Sequence, residues 1–90
     1  MRTIINLERK MKLTDTNSGT QYLVEEIQLE LATKRRLESL GMTEGSKIYV
    51  MRKKRNGAVI IKIRGTRFAL GREIVSGIQV RERTEKRDLT

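Results

Sequence analysis

The chain of 90 residues has no cysteine, no histidine, no proline and no tryptophan. Without cysteine neither a disulfide framework nor a thiolate metal site is available. Without histidine as well, a transition-metal site would have to use carboxylates, amides or carbonyls, which suit harder ions. The usual groups of general acid–base and nucleophilic catalysis are reduced to serines and threonines with no recognisable base beside them. An enzyme and a bound cofactor are therefore not expected, and a metal site is left undefined. Aromatics are scarce too: Tyr22, Tyr49 and Phe68 are the only rings. No apolar run is long enough to span a bilayer. The opening MRTIINLERKMK has no apolar core or small-residue cleavage site of a secretory signal, so a cytoplasmic protein is expected.

Charge, by contrast, is abundant and lopsided. The net charge is +9; residues 1–33 carry four basic and five acidic side chains, residues 34–90 sixteen and six. Such a basic half suits nucleic acid, an acidic protein surface or an inner membrane face, and also suits a merely well-solvated surface.

With no proline, glycine, asparagine and aspartate supply the punctuation. Seven glycines, at 19, 41, 45, 57, 65, 71 and 77, space out short segments in the rhythm of a small barrel or sandwich. TQYLVEEI reads as a strand of imperfect period two. From Thr33 the period becomes helical, with Leu37 and Leu40 three apart on one face. Gly41 at C′ would end this helix in a Schellman motif, with Leu37 at C3 and Met42 at C″. TEGS then makes a type II turn with glycine at the position needing positive φ. Asn56-Gly57 predicts a two-residue type I′ hairpin, setting Val50 opposite Ile63 and Arg52 opposite Ile61. Ile48, Val50, Ile61 and Ile63 would share the inward face, and Arg52, Lys53, Lys54 and Arg55 would form a basic knob at the tip. TRFAL, a helical corner over GREIVSG and a short strand IQV complete the domain. The fold class is mainly β: a small SH3-like barrel of about five strands with one short helix, although spacing alone also fits an OB-like barrel. The stretch 82–90 is a charged tail that composition marks as disordered.

The ordered set RRLESLGMTEGSKIYV, a hairpin, then IKIRGTRFALGREIVSGIQV resembles the FeoA family, ferrous iron transport protein A, whose members are small cytoplasmic SH3-like domains. Arg36, Leu37, Leu40, Gly41, Met42, Thr43 and Gly45 match the first part of the family pattern. Ile61, Ile63, Arg64, Gly65, Phe68, Ala69 and Leu70 match the second, and Met11–Asp15 matches its opening. Three departures stand out: Glu44 replaces the turn proline, the hairpin tip is short and basic, and residues 1–10 precede the usual start, so the resemblance implies a domain over 11–81 with 1–10 as an extension.

The resemblance implies a protein of bacterial ferrous iron transport without catalysis of its own. It would dock on and regulate the cytosolic part of the iron transporter, the G-domain of a FeoB-type protein, and sit peripherally at the inner membrane through that partner. Candidate partner-binding residues are Arg35, Arg36, Leu40, Met42, Arg52, Lys53, Lys54 and Arg55. For each the competing reading is structural: Leu37, Leu40 and Met42 as a core stripe, the arginines as a solvated face, the tip charges as a guard against edge pairing. The alternative function is a small basic nucleic-acid-binding protein, for which the aromatic count leaves few stacking platforms. Open strand edges leave room for a homodimer. Glu25 and Glu26, adjacent on a strand, point to opposite faces and make a poor metal pair.

Overall fold

The computed structural model describes residues 2–89, with side chains placed over residues 8–82. Strand β1 (Arg2–Lys12) leads through a 3-10 turn (Leu13–Asp15) to β2 (Thr20–Ile27). Helix α1 (Leu31–Ser39) follows, then the meander β3 (Lys47–Lys53), β4 (Val59–Ile63) and β5 (Thr66–Leu70). The short helix α2 (Arg72–Val75) turns the chain into β6 (Ile78–Leu89). All six strands belong to one antiparallel sheet in the order β1-β6-β2-β3-β4-β5. The sixth strand is β1, where the sequence suggested only an extension.

Alternation puts one face of the sheet inward. Tyr22, Val24 and Ile27 of β2, Ile48 and Val50 of β3, Val59, Ile61 and Ile63 of β4, Leu70 of β5 and Ile78 and Val80 of β6 are all buried. Leu13, Leu37, Met42 and Val75, from the turns and helices, close the ends of this core. The imperfect period of β2 has a cause in the ladder: the register with β6 shifts between Val24 and Glu26. Glu25 is the extra residue of that bulge, which is why the inward positions run 22, 24, 27 rather than in steps of two.

The long strands β1 and β6 pair from Arg2 opposite Leu89 to Lys12 opposite Gln79. The family resemblance set 1–10 apart and composition set 82–90 apart; the backbone pairs Arg2–Arg9 with Glu82–Leu89 in one ribbon. The register matches Glu8 with Arg83 and Arg9 with Glu82, opposite signs in both positions.

The hairpin β3–β4 differs from the two-residue loop. Gly57 N–H donates to Lys54 O (3.0 Å), and Lys54 N–H to Ala58 O (2.8 Å). This is a type I turn closed by a left-handed glycine, with Gly57 at φ +91° and a three-residue loop Arg55–Gly57. Asn56 favours it by accepting the Ala58 N–H on its side-chain oxygen (3.0 Å). Lys53 therefore lies opposite Val59 and Arg52 opposite Ile60. A further shift between Val50 and Arg52 leaves Met51 as the extra residue and sets Val50 opposite Ile61. One slip would have turned every inward residue outward; two slips restore the face, so the four predicted core residues are buried despite the changed register.

Candidate docking surface and relatives

Helix α1 starts at Leu31, two residues before the sequence suggested, on Glu30 without a side-chain cap. Its end follows the Schellman pattern: Met42 N–H donates to Leu37 O and Gly41 N–H to Glu38 O, both at 3.0 Å, with Gly41 at φ +101°. The following turn closes through Ser46 N–H to Thr43 O (3.0 Å), with Gly45 at φ +85°. The Ser46 hydroxyl braces both turns, donating to Gly41 O (2.9 Å) and accepting from Thr43 N–H (3.0 Å).

This junction separates the apolar candidates. Leu37 is buried and Met42 is only 1% exposed, whereas Leu40 stands 45% exposed at the helix end. Met42, read as a docking candidate, is a core residue, because the C″ position folds it back over the last turn of α1. Arg35 and Arg36 are exposed on α1.

The basic tip is braced from two sides. Lys53 Nζ donates to Thr14 O and Thr16 O, both at 2.8 Å, tying the hairpin to the 3-10 turn. Lys53 is thus held in a structural role that no spacing rule in the sequence reveals. On the other side, the stem of Arg72 lies across Gly57, where an added Cβ would stand 2.8 Å from Arg72 Cγ. Arg52, Lys54 and Arg55 are exposed, and among the described residues their side chains make no hydrogen bond or ion pair.

The surrounding electrostatics are one-sided. From Gly45 to Arg72 the chain holds nine lysines and arginines and no aspartate or glutamate, which equals the net charge of the whole protein. A count by strand instead of by half would have exposed this from the sequence. Carboxylates act elsewhere: Glu25 accepts from Lys10 Nζ (3.3 Å) and Arg81 Nη1 (2.6 Å), knitting β1, β2 and β6 together. Lys10 and Arg81 together hold the Glu25 carboxyl below the usual carboxylate range. Among the described residues no three histidine, cysteine, aspartate or glutamate side chains converge as metal ligands, and no helix is long and apolar enough to cross a membrane.

Compared with known proteins, residues 11–82 match the FeoA domain family. The chain belongs to the FeoA family. A protein of Methanocaldococcus jannaschii that carries the name Fe(2+) transport protein A is 34% identical over 70 residues, covering 78% of this chain and 84% of that one. Among solved structures, the iron uptake regulatory protein FeoA superimposes with a TM-score of 0.74 at 28% identity, over 84% of this chain and 100% of the other. A zinc complex of Stenotrophomonas maltophilia FeoA, described as a procaryotic SH3 domain protein, gives a TM-score of 0.67 at 28% identity, over 80% and 95% of the two chains. The FeoA-family chain thus has the SH3-like architecture its sequence predicted, and the match stops where the β1–β6 ribbon runs past residues 11 and 82.

Proposed function

We propose that this FeoA-family protein docks on the cytosolic G-domain of a FeoB-type ferrous iron transporter and regulates it, without chemistry of its own. Family membership supports ferrous iron transport as the setting. The observation that carries the docking reading is the acid-free stretch Gly45–Arg72, with its braced tip presenting Arg52, Lys54 and Arg55. Bracing matters because a rigid tip loses little side-chain and loop freedom on association. An acidic patch on the partner would then be met by charges already in place, which raises the association rate and fixes orientation. Arg35, Arg36 and Leu40 offer a second contact on α1. The site of action is the cytoplasmic side of the inner membrane, reached through the partner.

The test is a tagged pull-down from detergent-solubilised, nuclease-treated cells, with identification of the dominant co-purifying protein. Recovery of the iron transporter through its G-domain supports the reading. Its absence, with the tagged protein folded and abundant, contradicts it.

A further inference from the structure

The strand registers bring together four residues from four different strands. Gln21 lies opposite Tyr49, Tyr49 opposite Lys62, and Lys62 opposite Arg67. All four are exposed: Tyr49 and Lys62 are flanked on both sides by buried residues, Gln21 precedes buried Tyr22, and Arg67 precedes half-buried Phe68. With neighbouring strands about 4.8 Å apart, the row spans about 14 Å. Tyr49 is 41% exposed, Tyr22 is buried and Phe68 packs partly against the core, so Tyr49 is the accessible ring. Gly19, at φ +79°, lies beside the end of the ring: a Cβ there would lie 3.8 Å from the Tyr49 hydroxyl. On the same face Arg52 lies opposite Ile60, and Ile60 opposite Ala69, so the basic hairpin tip continues the surface. Lys47 and Arg64, both exposed, continue it at the other end.

We propose that this outer face of β2–β5 binds a single-stranded nucleic acid, with Tyr49 as a stacking platform for one base. Gln21, on one side of the ring, supplies an amide for the base edge. Lys62 and Arg67, on the other, supply cations for the phosphates, and Arg52 extends the track toward the tip. An aromatic platform flanked by cations is what sequence-tolerant binding of single strands requires, since every base has a π-face and every nucleotide a charge. The absence of carboxylates from β3, β4 and β5 removes much of the repulsion that a polyanion meets elsewhere on the protein. Duplexes hide their bases and offer Tyr49 nothing to stack on. An acidic polypeptide would use the cations and leave the ring idle. This surface shares Arg52 with the proposed docking tip but is otherwise separate from it and from α1, and the proposal does not depend on the transporter reading.

Fluorescence anisotropy with labelled oligothymidylate and oligouridylate of about twelve nucleotides, within the usual site size of a small barrel, tests it. A matched duplex and polyglutamate serve as competitors. Single strands are expected to bind most tightly, with the tighter of the two naming the DNA or RNA source. Tyr49→Ala should weaken binding by about tenfold, while Tyr49→Phe retains it. Lys62→Gln and Arg67→Gln should each flatten the slope of log K against log salt by about 0.7. Thermal melts of each variant confirm that it is folded. Failure of both oligonucleotides to bind at low salt overturns the proposal. So does equal competition by polyglutamate or duplex together with an unaffected Tyr49→Ala variant, which would make the face a charged surface for another polyanion.

Discussion

At the scale of single residues, Arg64 stands out because its φ is +50°, the only non-glycine in the left-handed region among the described residues. With Gly65 at φ +81° it forms the two-residue turn between Ile63 and Thr66, so the mirror-type hairpin turn lies at Arg64-Gly65 and not at Asn56-Gly57. Asparagine tolerates this backbone better than arginine. Arg64→Asn is therefore expected to raise unfolding stability by roughly 0.5–1 kcal/mol in denaturant melts, a part of the roughly 1–2 kcal/mol that a left-handed conformation costs an ordinary residue. Arg64 also lies against the end of α1, where its Nε is 3.8 Å from the position a Cβ would take on Gly41. Gly77 is constrained by space: a Cβ there would come within 2.7 Å of Gln28 O and closer still to the Leu29 side chain. Because one obstacle is backbone, Gly77→Ala should cost about 1–3 kcal/mol, measurable in the same melts.

At the scale of elements, Glu25 joins three strands through the β2 bulge, and its depressed carboxyl pKa ties their docking to pH. A carboxyl whose folded pKa lies below its unfolded value contributes stability that is fully present above the unfolded pKa. That contribution is lost as pH falls through the folded one. Glu25→Gln should therefore lower the melting temperature at neutral pH, and the gap to the parent should close as both are acidified. A constant gap would mean that the ion pairs do not supply the difference. Helix α1, starting on Glu30 without a side-chain cap, should gain from Glu30→Ser by about 0.5–1 kcal/mol, read as a higher denaturation midpoint.

The same elements indicate what sequence can and cannot convey. The Schellman end at Gly41 and the turn at Gly45 were legible because each depends on local backbone chemistry carried by glycine. The inward set Ile48, Val50, Ile61 and Ile63 was legible because burial follows parity. The hairpin register was not, since Asn56-Gly57 serves two loop types and the choice lies with the Asn56–Ala58 hydrogen bond and the Met51 bulge. Of the candidate docking residues, Met42 and Lys53 lead structural lives set by contacts with Leu37 O and with Thr14 and Thr16, the latter 37 or more positions away in the chain. The tyrosine row was hidden for a related reason. Its four members come from four strands, and only the register makes them neighbours.

At the scale of the whole molecule, the sheet divides the charges by strand. Carboxylates are interleaved with cations on β1 and β6 and are the only charges on β2, while the charges of β3–β5 are all basic. A FeoA-family protein built this way presents one carboxylate-free basic side, which includes a hairpin whose tip is held at both flanks. The most direct test of the docking account is a titration of the purified protein against the isolated cytosolic G-domain of the iron transporter, at low and at physiological salt. The comparison is with the triple variant Arg52→Gln, Lys54→Gln, Arg55→Gln, which leaves the Lys53 brace intact. Saturable binding by the parent, weakened by salt and at least tenfold poorer in the variant, is the expected result. Binding that is absent, or equally tight in the variant, would contradict docking through the basic tip.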